Sequence, residues 1–291
     1  MQRGLFKMSL ESRKQKKKKE APYRNRATLI VYLVLRALVI GVLVRFIFQG
    51  NYESAFICVL TLVLMLLPSF FSRTFHVYLP SALEVIVLVF IFCAEILGEI
   101  ASFYVTFPLW DSMLHCVNGF LFAAVGFALV DFFNRSERFS VKLSPIFVAI
   151  VAFCFSMTIG VLWEFFEFGG DRVFNLDLQK DFTVNTISSV ALNPDKVNKA
   201  VVIKDITDVI VVQKDGTETA LGVGGYLDIG LLDTMKDLMI NFIGAVAFSI
   251  VGYFYVKHKG KGKLAASLIP QVEMEDDIER EKVDKSSTET E

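Results

Sequence analysis

Cysteine and histidine are scarce in this chain, four and three residues in 291. Neither recurs at ligand spacing. With no Cys-x-x-Cys pair and no cysteine–histidine cluster, a zinc-ribbon or redox-pair reading is excluded. All four cysteines (Cys58, Cys93, Cys116, Cys154) fall inside apolar runs and read as small packing residues of helices. A nucleophile elbow, a phosphate-cradling glycine loop and an inverted pair of broken helices are also missing, so no definite reaction or transporter repeat is signalled. Charge is thin as well. Only 21% of residues are charged against 54% apolar, with 28 Phe and a mean hydropathy of +0.51. That balance excludes an ordinary soluble domain.

What is present is a set of long apolar runs. A membrane helix needs about 20 mostly apolar residues. Six segments qualify: Ala27–Phe48, Tyr52–Pro68, Leu79–Ile100, Asp111–Phe133, Leu143–Phe168 and Asp233–Val256. The second is the shortest, and Pro68 is expected to end it. The first is too long for a signal-peptide core and reads as an uncleaved anchor. The fold class expected is therefore an all-α polytopic membrane protein, a six-helix transmembrane bundle. Its parts are a polybasic tail (1–26), helices 1 to 5 (27–168), a loop (169–232), helix 6 (233–257) and a disordered tail (258–291).

The near-neutral total, 30 basic against 31 acidic residues, hides strong segregation. Ten Lys/Arg precede residue 27, Arg73 lies between segments two and three, and Arg135, Arg138 and Lys142 lie between four and five. Seven more follow from Lys257, while the loops 49–51 and 101–110 carry none. By the positive-inside rule both termini are cytoplasmic, in a plasma (inner) membrane. The cluster Lys14–Lys19 is expected to rest on anionic lipid headgroups or simply to set topology. The acidic tail Glu273–Glu291 lacks aromatics and is expected to be disordered.

The loop 169–232 then lies on the outer side. Its β-branched runs Ala200–Ile203 and Asp208–Gln213 are followed by Lys214-Asp215-Gly216-Thr217 and Glu218–Val223. Asp-Gly between such runs predicts a small extracytoplasmic β-hairpin. Nine acidic and six basic residues give the loop a negative balance, which argues against nucleic acid.

Ionisable groups within membrane helices are costly and normally face the interior with partners. Here they form stripes. Asp111, His115 and Asn118 share a face of helix 4; Asp233, Asp237 and Asn241 share one of helix 6; Glu164, Glu167 and Asp171 follow helical spacing on helix 5; Glu95 and Glu99 end helix 3. At about 1.5 Å per residue, His115, Asp237, Glu164 and Glu95 all lie about 6–8 Å below the outer helix ends. Basic partners are few: Arg45, Lys236 and Arg172 at that end, and Arg36 mid-membrane, which needs a carboxylate or a carbonyl. So many acids require shared protons, a bound divalent cation or a cationic ligand. Asp111, His115, Glu164, Asp233 and Asp237 are the candidate metal ligands. Glu95, Glu99, Asn118, Glu167, Asn241 and Arg45 are further ligand-binding candidates, and His115 is the candidate acid/base. Oxygen ligands with one imidazole suit a hard ion such as Mg²⁺, Mn²⁺ or Ca²⁺. One histidine is too few for a di-iron site. Helix capping by Asp111 and Asp233, and interhelical hydrogen bonding by Asn and His, explain part of the same pattern.

Trp110-Asp111-x3-His115-x2-Asn118-Gly119-Phe120, Trp163-Glu164-x2-Glu167 and Asp233-Thr234-x2-Asp237-Leu238-x2-Asn241-x2-Gly244 occur in that order. The set resembles the YjdF-type bacterial inner-membrane proteins and, more distantly, is similar to the VanZ-like proteins. The resemblance covers helices 4 to 6; the stretch between Gly170 and Leu232 is longer than the family pattern. It implies a bacterial cell-envelope setting without a settled activity. Three functions stay open: an envelope protein whose acidic outer pocket binds a cation or cationic headgroup, a metal-dependent enzyme acting on a lipid or lipid-linked substrate at the outer leaflet, and a cation- or proton-coupled transporter. The third predicts a polar path inward, yet only Glu84 and Arg36 extend one.

Overall fold

The computed structural model describes residues 26–75, 77–135, 143–258 and 267–272. The polybasic cluster Lys14–Lys19 and the acidic tail beyond Val272 lie outside the described residues. Among them, six helices are long and apolar enough to cross a membrane: Arg26–Gln49, Tyr52–Thr74, Ser81–Ile100, Trp110–Val130, Pro145–Phe174 and Leu231–Lys257. They are the first to sixth spans below.

Three boundaries differ from the sequence expectation. Pro68 does not end the second span. The helix Tyr52–Leu64 breaks at a turn over Met65 and Leu66, and a new helix runs Leu67–Phe75. Pro68 stands in the first turn of that new helix, where its missing N–H leaves no bond unmade. The fifth span continues beyond Phe168 to Phe174, because Gly169 and Gly170 remain helical. Part of the segment expected to be disordered is structured: β8 (Gln271–Val272) pairs antiparallel with β1 (Val77–Tyr78), with Ile269 buried beside it.

The chain divides into two compact units. Among the described residues the first comprises 26–75, 77–110, 124–135, 143–152, 248–258 and 267–272. Its core joins Val39 of the first span, Cys58 and Met65 of the second and Leu88, Ile91 and Ile96 of the third. Arg36 finds its partner in a main-chain carbonyl: one guanidinium N–H donates to the Leu62 oxygen at 3.2 Å, and the group lies 4.6 Å from the Tyr32 ring centroid. That pairing offsets part of the cost of a cation at membrane depth, while Nε stays buried without a hydrogen-bond partner among the described residues. The third span ends in a π-helical stretch, Cys93–Ile100, which carries Glu95 and Glu99. Such stretches widen the helix by one residue per turn. A Cβ at Gly98 would collide with the Tyr104 ring.

The second unit comprises Asp111–Ala123 and Phe153–Ala247. Within it the fourth, fifth and sixth spans approach through glycine. A Cβ on Gly119 would strike the Asn241 carbonyl, one on Gly160 the Asn241 side chain, and one on Gly244 the Cys116 carbonyl. Small residues let membrane helices bring backbones together, where no hydrophobic drive separates helix from lipid. Ser156 Oγ adds a hydrogen bond to the Gly119 oxygen at 2.7 Å, and Phe153 meets Phe242 edge-on at 5.3 Å.

The segment between the fifth and sixth spans carries the small antiparallel pairs. The expected hairpin is present: β5 (Ile210–Val212) pairs with β6 (Glu218–Ala220), with Val211 opposite Thr219. Gly216 at φ 87° makes its turn, and the Asp215 carboxylate accepts from the Thr217 N–H, which holds that carboxyl below its usual range. The run Val201–Ile203 (β4) pairs instead with β3 (Ile187–Ser189), and β2 (Thr183–Val184) pairs with β7 (Tyr226–Leu227) at the base of the segment.

Candidate functional site

Spans four, five and six of the second unit carry the site. Asp111 and His115 are one turn apart on the fourth span, Glu164 lies on the fifth, and Asp233, Lys236 and Asp237 lie on the first turns of the sixth. His115, Glu164, Asp233 and Asp237 are all buried, Asp237 to 1% exposure; His115, Asp233 and Asp237 stand in the first two turns of their helices, whereas Glu164 lies inside the fifth span, which runs on to Phe174. The glycine contacts lower down account for the burial, since they draw the three helices close enough for the side chains above to share one space.

His115 is the hub. Its Nε2 lies 3.5 Å from Asp111 Oδ1 and 3.8 Å from Asp237 Oδ2, while its Nδ1 lies 4.0 Å from Glu164 Oε1. These gaps exceed a direct hydrogen bond. Asp111, His115 and Asp237 each offer a ligand atom, and the three atoms lie within 4.8 Å of one another. Two ligands on opposite sides of one ion lie about 4.2 Å apart for Mg²⁺ and up to about 5 Å for Ca²⁺. The trio is therefore of coordinating size.

Lys236 is the ammonium of the site. Its Nζ sits 2.8 Å from Asp233 Oδ1, 3.6 Å from Asp237 Oδ1 and 3.9 Å from Asp111 Oδ2, and 5.0 Å from the Phe182 ring centroid. Four carboxylates thus surround one ammonium and one imidazole. Three buried side-chain oxygens, Glu164 Oε2, Asp237 Oδ1 and Asn241 Oδ1, have no hydrogen-bond partner among the described residues. Elsewhere on the fourth and sixth spans the Trp110 indole nitrogen and the Ser249 hydroxyl are buried without a partner among the described residues, but within the cluster itself the unpartnered side-chain atoms are acceptors.

A strap formed by residues 175–182 folds back over the helix ends. Asp171 accepts the N–H groups of Leu178 and Gln179 at 2.6 and 3.0 Å. Asp233 Oδ2 accepts the Lys180 N–H at 2.8 Å, and Gln179 Nε2 donates to Thr234 Oγ1. Asp233 is consequently no cap of its own helix. That task falls to Asp228, whose carboxylate accepts the Leu232 N–H at 2.7 Å and, through its other oxygen, the Phe182 N–H at 2.8 Å.

Of the residues singled out by sequence, the structure unites Asp111, His115, Glu164 and Asp237. Asp233 stands beside them but is committed to Lys236 and the strap. Asn118 is half-buried a turn below His115, and Asn241 is buried one turn below Asp237, donating weakly to Met157 Sδ at 3.6 Å. Glu167 accepts from the Trp163 indole at 2.8 Å. Glu95, Glu99 and Arg45 belong to the first unit. Sequence reasoning placed Lys236 merely nearby and passed over Asp228, Gln179 and Lys180. Their roles are main-chain contacts or depend on the return path of a loop, which spacing does not encode.

Six apolar spans with a buried carboxylate–imidazole cluster shared by three of them define a polytopic membrane protein with a polar centre. The chain belongs to the DUF2238 family of predicted membrane proteins, whose model matches residues 30–258. An uncharacterized protein of Thermotoga maritima is 21% identical over 145 residues, which cover 50% of this chain and 66% of that relative. No solved structure matches.

Proposed function

We propose that the protein is a bacterial inner-membrane protein that binds a hard divalent cation, Mg²⁺, Mn²⁺ or Ca²⁺, at the outer end of its fourth to sixth spans. In this reading His115 Nε2, Asp111 and Asp237 are ligands. Glu164 faces the other ring nitrogen at 4.0 Å, the side from which carboxylates behind metal-bound histidines orient the imidazole once they close to a hydrogen bond. The observation that carries the reading is the set of buried oxygens without donors, Glu164 Oε2 and Asp237 Oδ1 above all, beside a trio of coordinating size. Interhelical glue satisfies its acceptors with donors; a surplus of buried acceptors calls for a cation. Charge supports it, since Lys236 and His115 do not balance four carboxylates. The loop charges argue for cytoplasmic termini, which places the site outside. The motif resemblance to YjdF-type proteins supports the bacterial setting.

The second reading, a metal-dependent enzyme on a lipid or lipid-linked substrate, draws support from a cavity of about 410 Å³ on the fifth span, lined by apolar groups such as Phe165, Phe166, Val173, Phe174, Leu176 and Leu178. That volume falls within the range of small-ligand pockets, and its wall suits an acyl chain. There His115 would act as acid/base while the cation holds an anionic head group.

The test is the metal content and thermal stability of the purified protein and of His115→Ala. The expected result is one divalent ion per wild-type chain, lost on substitution, with a melting temperature raised by Mn²⁺ in the wild type alone. Unchanged metal content in His115→Ala would remove the reading. Reporter fusions after residues 50 and 200 test the orientation; activity of a cytoplasm-only reporter at either place would reverse it.

A further inference from the structure

We infer that Lys236 is a tethered competitor for the cation site, and that it makes the site selective for divalent over monovalent ions. The inference rests on the cation reading above and deepens it. Its basis is the position of one atom. Lys236 Nζ makes its short contact with Asp233, at 2.8 Å, but stands at 3.6 and 3.9 Å from Asp237 and Asp111, the two carboxylates of the proposed ligand trio. The ammonium thus holds one carboxylate that is no ligand and leans over two that are.

Asp233 is well fitted to keep it there or to receive it. One of its oxygens is fixed by the Lys180 N–H of the strap, and the other takes the ammonium. The Phe182 ring of the same strap lies 5.0 Å from Nζ and offers the charge a second resting place away from the ligands. A divalent ion entering between Asp111, His115 and Asp237 repels the ammonium, which can retreat to Asp233 and Phe182 without leaving the protein. A monovalent ion brings the same charge as the ammonium already present. It competes from free solution against a group held at high effective concentration by its own backbone. Only the doubled charge tips the exchange.

The consequence has a definite sign. A group that helped to build the site would weaken binding when removed; a competitor strengthens binding when removed. If the ammonium covers the ligands nine-tenths of the time, its loss tightens the apparent affinity about tenfold. The experiment is Mn²⁺ titration of the full-length protein in detergent, comparing wild type, Lys236→Met and Lys236→Arg at low and high NaCl. The expected result is about tenfold tighter Mn²⁺ binding by Lys236→Met and near-wild-type binding by Lys236→Arg. Added Na⁺ should weaken Mn²⁺ binding markedly in Lys236→Met and little in the wild type.

Equal or weaker Mn²⁺ binding by Lys236→Met, with the wild type binding normally, overturns this inference and leaves the cation reading standing. Absence of binding in wild type and variant alike overturns both. Removing the ammonium leaves carboxylates unneutralised, and recovery of Lys236→Met only with Mn²⁺ present throughout purification supports the inference. Lys236→Gln, which keeps a donor for Asp233, is the second variant. Failure of both to fold even with Mn²⁺ overturns the inference, because the ion then does not replace the ammonium.

Discussion

Asp237→Asn is expected to lower the affinity for Mn²⁺ at least about a hundredfold, the upper end of what loss of even an outer-sphere partner costs. The carboxylate concerned is 1% exposed, one of its oxygens lies 3.8 Å from His115 Nε2, and the other has no hydrogen-bond donor. Asparagine has nearly the same shape, so packing between the spans should persist. What changes is charge. The amide removes one negative ligand from the trio and points two N–H groups or a weaker oxygen at the ion. In the absence of metal the same substitution should change stability little, since it thins a cluster of four carboxylates while Asp233 and Asp111 still face the Lys236 ammonium. This opposition separates the cation reading from interhelical glue, under which Asp237→Asn would lower stability and leave no metal affinity to lose. Isothermal titration with Mn²⁺ and thermal unfolding of the same samples with and without metal provide both halves of the comparison.

Gly244→Val should be the most damaging substitution remote from the charges. Even a Cβ there collides with the main-chain carbonyl of Cys116, and a backbone atom cannot swing aside as a side chain can. Overpacking of this kind costs typically about 1–3 kcal/mol and occasionally more. A β-branched side chain adds two methyl groups to the collision, so the upper part of that range applies. The fourth and sixth spans must then move apart. Asp111 and His115 ride on one, Asp237 on the other, so metal affinity is expected to fall along with stability although no ligand is touched. Gly41→Val is the control: its Cβ would meet nothing within 4 Å. Unfolding monitored in a graded detergent series reads the stability; Mn²⁺ titration reads the coupling. Near-wild-type stability of Gly244→Val would contradict the close approach of the two backbones.

Much of this architecture was legible from residue type alone. Run length gave six spans because lipid imposes a minimum length on any helix that crosses it. Helical spacing put Asp111 with His115 and Asp233 with Asp237, and the need to partner buried charge drew these stripes toward one another. The hairpin around Asp215-Gly216 announced itself through turn chemistry. The missed features have physical reasons too. Pro68 looked like a terminator because sequence does not reveal that the helix restarts just before it, where proline is harmless. The pairs β2–β7 and β3–β4 are two and three residues long, too short for any alternating pattern. Asp233 read as a cap or a ligand because both roles want an acid in a first turn; the choice was made by Lys180, 53 positions away, whose N–H reaches its carboxylate. Likewise the distinction between Glu164 on Nδ1 and Asp111 with Asp237 on Nε2 is a matter of which side of a ring each carboxylate approaches. Spacing cannot carry that.

The central claim is that one ion sits between Asp111, His115 and Asp237 with the His115 ring among its ligands. Pulsed electron paramagnetic resonance of the protein loaded with one equivalent of Mn²⁺ tests it most directly. The account predicts a single bound Mn²⁺ per chain whose echo is modulated by one directly coordinated ¹⁴N, with the modulation absent in His115→Gln. Mn²⁺ that stays in the free pool, or bound Mn²⁺ whose nitrogen coupling is absent from the wild type or survives His115→Gln, would contradict it.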